Sequence, residues 1–248
     1  SELDYLAAGE VLTLTYTVDL EDGAGDITPQ TFVVTITGTN DAPVINAINP
    51  TALTEQTNTA ALTASIPVTF TDVDLTDIGH TASITGVQAS GITTGLALTS
   101  AQLIALVTPG TVTKASGSSS GSINMGFSAP ASELDYLAAG EVLTLTYTVA
   151  VNDGDGGITP QDFVVTITGT NDAPTITTVE GTTDVAGAVT EDASLSTLTD
   201  TGTITFDDVD LTNTHTVSVA SASGNTLGGT LTLGSVSESA ITSAGSVP

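Results

Sequence analysis

The 248-residue sequence predicts an all-β fold, a string of tandem immunoglobulin-like β-sandwich repeats of about 130 residues each. Three observations carry the prediction. Residues 1–43 return at 132–174, an offset of 131, with 37 of 43 positions identical. Short runs inside that block alternate apolar residues with Thr, the two-residue period of a half-buried strand. Clusters of Asp, Asn, Gly and Pro punctuate these runs roughly every 8 to 15 residues, as sandwich turns do.

Each element follows from local pattern. Residues 142–149 read Val-Leu-Thr-Leu-Thr-Tyr-Thr-Val and residues 163–168 read Phe-Val-Val-Thr-Ile-Thr, both rich in the β-branched side chains that suit a pleated surface. Between them, Asn152-Asp153-Gly154-Asp155-Gly156-Gly157 predicts a long-looped hairpin. Residues 66–70 and 81–87 supply two more strands, connected by an Asp-rich turn, and residues 100–107 and 134–139 are expected to form helical turns. Tyr136 is expected either at a corner or as core filling. A weaker match aligns 69–76 with 205–212, at an offset of 136. The period is that of a whole domain. It divides the chain into the C-terminal part of one repeat (1–39), a complete repeat with its leading linker 40–43 (40–170), and the linker and N-terminal part of the next (171–248).

Composition excludes several classes of function. Twenty-eight Asp and Glu face a single basic residue, Lys114, for a net charge of -27, so nucleic acid and acidic membrane surfaces are repelled. Metal cations are the natural counter-charge. With 40% hydrophobic residues and mean hydropathy of +0.30 the chain is nonetheless expected to fold. Cysteine is absent, which excludes disulfides and thiolate sites. No apolar run approaches the roughly 18 residues a spanning helix needs, so no membrane insertion is expected. The chain opens on Ser1-Glu2-Leu3 without a signal-like region, so an export signal is expected elsewhere in a longer protein.

Half of the acids fall in loops, linkers and turns. In a sandwich the turn after the second strand, the last hairpin loop and the incoming linker share one pole. Asn40, Asp41, Asp72, Asp74, Asp77, Asp153 and Asp155 are therefore expected to converge, with Asn171, Asp172, Asp208 and Asp210 as counterparts one repeat later and Asp22 matching Asp153 in the first hairpin. Glu55, Glu191, Glu133 and Asp135 are expected at the opposite pole, facing the following linker. Carboxylates crowded in this way repel one another unless a cation joins them. Oxygen donors without His or Cys select Ca²⁺ over Zn²⁺ and over Mg²⁺. Taken singly, each Asp also suits ordinary turn chemistry; convergence is what points to an ion.

Thr-Gly-Thr-Asn-Asp-Ala-Pro at 37–43 and 168–174, the Asp-x-Asp turns, and the hairpin loop at 152–157 resemble the calcium-dependent cadherin-like and VCBS-type tandem repeats of giant bacterial RTX adhesins and biofilm proteins. The resemblance implies a non-catalytic, secreted, surface-anchored extender, rigidified by Ca²⁺ between neighbouring repeats of the same chain. One departure stands out: the first hairpin reads Glu21-Asp22-Gly23-Ala24-Gly25-Asp26, without the second acid of its counterpart.

Other readings are weaker. The EF-hand spacing fails, since no Glu stands at the twelfth position after Asp153. Gly117-Ser118-Ser119-Ser120-Gly121 fits a hydrolase elbow in letters only, lying in Ser/Gly-rich sequence. His80 and His215, each at a strand start, are expected to be packed or hydrogen-bonded. A second hypothesis makes the chain a subunit of a self-assembling filament or homo-oligomer, in which neighbouring chains complete unfinished sandwiches. A carbohydrate-binding module ranks last, because nine aromatics, mostly in strands, supply no platform.

Overall fold

The computed structural model describes residues 2–57, 60–177, 183–194, 197–220, 228–239 and 242–248. It is all-β, as the alternation predicts, with a central two-sheet sandwich around one core. Strands β1 (Val11–Glu21) and β2 (Ile27–Thr37) pair antiparallel as a two-stranded sheet. Nine strands then build a central sandwich: β3 (Val44–Ile45), β4 (Thr51–Thr54), β5 (Leu62–Thr71), β6 (Thr81–Gly91), β7 (Val107–Pro109), β8 (Thr113–Lys114), β9 (Ser120–Ala129), β10 (Val142–Asn152) and β11 (Ile158–Thr168). One sheet runs β4-β11-β10-β6, and the other runs β3-β5-β9-β7 with β8 also on β9. Strands β12 (Thr175–Thr177), β13 (Ile204–Asp207), β14 (Ser237–Glu238) and β15 (Gly245–Val247) form a C-terminal sheet in the order β12-β13-β15-β14.

The alternation read from sequence is the alternation that packs. In β10, Leu143, Leu145, Tyr147 and Val149 are buried while the intervening Thr side chains lie nearer solvent. They meet Phe163, Val165 and Ile167 of β11 and, across the sandwich, Ile66, Val68, Phe70, Ile123, Met125 and Phe127. Tyr147 and Phe163 are cross-strand partners with ring centroids 5.4 Å apart, and the Tyr147 hydroxyl donates to the Leu103 carbonyl at 3.0 Å. Burying each such side chain is worth about 1.5–3 kcal/mol. Leu103 is brought there by helix α1 (Ser100–Ala105), whose start is fixed by a reciprocal capping box between Thr99 and Gln102. The helix stops two residues short of Val107, which opens β7.

The second helical expectation fails. Residues 134–139 form turns after a short 3-10 segment, Ala131–Glu133. Leu134, Tyr136 and Leu137 are all buried, and a single helical turn cannot direct positions 134 and 136 to one side. The turn also presses the Leu137 and Ala138 carbonyls onto Gly169, where an added Cβ would lie 2.1 Å from the Leu137 oxygen. That close approach accounts for the glycine in the linker motif. Tyr136 takes the corner role, its hydroxyl donating to the Ile92 carbonyl at 2.9 Å.

Two of the crossings between the sheets bear on the acids. Between β3 and β4 it leaves the edge of one sheet to pair in parallel with β11 on the other, which brings Glu55 beside the end of β11. Between β5 and β6 it crosses the pole, and the Asp-rich turn makes that crossing. Residues 117–121 lead from β8 into strand β9, not into a helix, so no nucleophile elbow forms there.

Candidate functional site

At the leading pole of the central sandwich three segments meet. Asp153, in the hairpin loop, accepts the Asp155 and Gly157 N–H groups on Oδ1 at 2.8 and 2.9 Å, and its Oδ2 accepts the Asn40 side-chain amide at 3.0 Å. The linker N–H of Asp41 donates to Asp74 Oδ2 at 2.8 Å. Asp72 is committed within the turn: Oδ1 accepts the Asp74 N–H at 3.0 Å and Oδ2 faces His80 Nε2 at 2.7 Å. Lys114 Nζ donates to the Asp74 and Asp77 carbonyls, both at 2.7 Å, and so fixes the turn through its backbone. Thr159 closes the group by donating to the Pro43 carbonyl.

A second cluster stands between the central sandwich and the C-terminal sheet. The Asp172 N–H donates to Asp210 Oδ2 at 3.0 Å, and Asp208 accepts the Asp210 N–H on Oδ1 at 3.0 Å while its Oδ2 faces His215 Nε2 at 2.9 Å. Phe70 stacks on His80 with centroids 5.1 Å apart, and Phe206 lies on His215 at 4.6 Å, so the whole turn recurs. The central sandwich adds Glu55 and Asp135. Glu55 Oε2 accepts both the N–H and the hydroxyl of Thr170, which explains the second Thr of the linker motif. Asn171, Asp172, Asp208 and His215 line a cleft of about 390 Å³.

The electrostatics follow the geometry. Burial first, then the neighbouring Asp72 and Asp41 charges, raise the Asp74 pKa against the Asp41 N–H bond and Lys114. Burial followed by Asp74, Asp155 and Asp72 raises Asp77. In the second cluster burial and the charges of Glu55 and Asp172 raise Asp135, and burial with Glu55 and Asp208 raises Asp172. Asp210 is pushed up to about 6, mainly by burial and then by Asp208 and Asp172, against its bonds from Asp172 and Asn213. Asp153 runs the other way: burial would raise it, but the Asn40 amide and the N–H groups of Asp155, Gly157 and Gly156 outweigh that and lower it.

The residues singled out in the sequence thus divide. Asn40, Asp41, Asp72, Asp74, Asp77, Asp153 and Asp155 gather in one place; Glu55, Asp135, Asp172, Asp208 and Asp210 gather in the other. Asn171 sits at the mouth of the second cluster, exposed, its side-chain amide on the Asp172 carbonyl at 2.7 Å. Glu133 is half-buried in the 3-10 segment. Asp22 and Glu191 are exposed and join neither group; Asp22 keeps its turn bonds to Ala24 and Asp26. Lys114 and Asn213 were not foreseen. Asn213 occupies the position of Asp77 one repeat later and donates to Asp210 Oδ2 at 2.8 Å, a role that the spacing Asp-x-Asp-x-x-Asp/Asn could have disclosed.

Among the described residues no group of three or more His, Asp or Glu side chains is drawn tightly enough to hold a metal ion as it stands. The donor chemistry fits one all the same. Within the two clusters six buried side-chain oxygens lack a hydrogen-bond partner: Asn40 Oδ1, Asp74 Oδ1 and Asp77 Oδ2 in the first, and Glu55 Oε1, Asp172 Oδ2 and Asp210 Oδ1 in the second. Leaving such atoms bare costs about 1–3 kcal/mol each, more when charged, and a hard cation is the partner that oxygen-only sets accept.

No family model matches the chain, and no curated protein is similar to it. Solved structures with some likeness include the CooA pilin subunit from enterotoxigenic Escherichia coli, at 13% identity over 52% of this chain and 98% of that one, with a TM-score of 0.32. A protocadherin gammaB7 EC3-6 cis-dimer structure matches at 16% identity over 95% of this chain and 49% of that one, with a TM-score of 0.37. The mouse clustered protocadherin PcdhgC3 EC1-3 matches at 13% identity over 100% and 68%, with a TM-score of 0.33. This chain therefore spans about half the length of the protocadherin gammaB7 chain.

Proposed function

We propose that this chain is a calcium-rigidified structural extender, non-catalytic, in which ions at each junction between successive sandwiches turn a flexible string into a rod. One observation carries the reading: acids distant in sequence meet twice, each time with three buried oxygens left bare. Glu55 and Asp172, in the second cluster, stand 117 positions apart in sequence (172 against 55). Asn40, Asp74, Asp77, Glu55, Asp172 and Asp210 would be the principal ligands, with Asp41, Asp135, Asp153 and Asp155 in reach, while Asp72 and Asp208 organise the turns. Calcium, when bound, supplies positive charge where carboxylates from neighbouring sandwiches repel. No described helix is long and apolar enough to cross a membrane. The extracellular setting, on a bacterial surface or in a biofilm matrix as part of an RTX-type adhesin, follows from the linker and hairpin motifs. Melting curves and small-angle scattering, recorded in chelator and in millimolar calcium, test it: calcium should raise the transition and lengthen the particle, and superimposable curves would refute it.

A further inference from the structure

Leu211 follows directly on Asp210 and leaves its own sheet for the central sandwich. It packs against the sandwich core. Its Cδ1 fills the space beside Gly95, where an added Cβ would lie 2.6 Å from Leu211 and 2.7 Å from the Tyr136 ring. Gly95 has φ +100°, a conformation that favours glycine and leaves this hollow open. Tyr136 forms the wall, held by its bond to Ile92, and its carbonyl faces the Leu211 N–H at 3.5 Å. The same relation recurs one repeat earlier, with the Leu75 N–H facing the Tyr5 carbonyl at 3.4 Å. Between the two acids, Val209 stays 47% exposed, so the apolar contact belongs to Leu211 in particular.

We propose that Leu211 is an ion-independent latch: the socket of Gly95 and Tyr136 receives an aliphatic side chain from the following segment and sets the register of the second carboxylate cluster before any cation binds. Leu75 is its counterpart. Sequence adjacency gives the device its effect. Asp135 precedes Tyr136 and Asp210 precedes Leu211, so seating leucine on tyrosine holds carboxylates of the two sides near one another and offsets part of their repulsion. The latch rests on reading this place as a junction, but not on calcium.

The chain lacks cysteine, so Ser90→Cys and Ser237→Cys, both exposed strand positions, give a clean pair of spin labels on the two sides. In chelator the otherwise wild-type protein should show one main distance. Leu211→Ser should broaden that distribution about twofold, as the unlatched segment samples more positions, while Leu211→Met should preserve it. An unchanged melting transition of the central sandwich shows that each variant folds. Matching distributions for Leu211→Ser and wild type in chelator would overturn the latch. Broadening in Leu211→Ser, together with wild-type distributions that coincide with and without calcium, would support the latch and count against the calcium reading.

Discussion

The Asp172 N–H donates to Asp210 Oδ2 at 3.0 Å, and the same bond joins Asp41 to Asp74 at 2.8 Å. A linker peptide thus holds one oxygen of the second acid in each Asp-x-Asp turn, and leaves the other oxygen buried and bare. Linker and turn are coupled even without an ion, and what remains unsatisfied is one buried carboxylate oxygen in each turn.

Replacing Asp210 by Asn should therefore have opposite effects in two conditions. Asn keeps an oxygen for the Asp172 N–H but removes the charge that Asp208 and Asp172 oppose. In chelator the variant should melt higher than wild type, by about 3 °C or more if 1 kcal/mol of repulsion is relieved. In calcium it should gain less. A single site with free ion at 100 times its Kd stabilises by about 2.7 kcal/mol, and the variant should forfeit much of that. Calorimetry with and without calcium reads both; a lower transition in chelator would contradict the repulsion.

The metal-free protein should lose stability as pH rises from 3.8 through about 6. Asp74, Asp77, Asp135 and Asp172 have raised pKa values and Asp210 is pushed up to about 6, so the folded state binds more protons than the unfolded one above the ordinary Asp value of 3.8. Stability then falls with pH through that window. Asp153, lowered by its hydrogen bonds, contributes stability that is present above 3.8 and is lost only at lower pH. Urea midpoints in chelator across this range should decline, and Asp210→Asn should reduce the slope. A flat or rising profile would be the contrary result.

Gly157 is a tight position. A Cβ there would lie 2.1 Å from Asp153 Oδ2 and 2.7 Å from the Ala42 backbone, so hairpin loop and linker leave no room. Gly157→Ala should cost about 1–3 kcal/mol by overpacking and weaken calcium binding at the first cluster while sparing the second. Its twin in the first hairpin is Asp26. Titration calorimetry resolves the two sites.

Tyr147→Phe removes the donor to the Leu103 carbonyl and leaves a buried acceptor without it. The Leu103 carbonyl keeps the Leu106 N–H at 3.2 Å, so the expected loss is about 0.5–1.5 kcal/mol, with calcium affinity unchanged, because the bond lies in the core, away from both clusters. Urea unfolding in saturating calcium measures it.

Strand positions were legible because burial follows a two-residue period, which the Leu-Thr-Leu-Thr-Tyr run of β10 states plainly. The turn at 134–139 was not. Its apolar spacing mimics a helix, and only the contact of its carbonyls with Gly169 reveals a bend. The first carboxylate group was legible from pole assignment alone, since loops at one end of a sandwich must be neighbours. Lys114 was visible as the lone cation but not as a brace for the Asp74 and Asp77 carbonyls, because backbone partners leave no trace in residue type.

What the sequence by itself determined, then, is the repeat, the strands and the excess of oxygen donors over counter-charge: all are properties of period and composition, which need no third dimension. The tertiary structure alone decided which oxygens stay bare, that Asp72 and Asp208 answer to histidines, and that Leu211 crosses to Tyr136. Those depend on where segments a hundred residues apart come to rest, and distance along the chain does not encode distance in space.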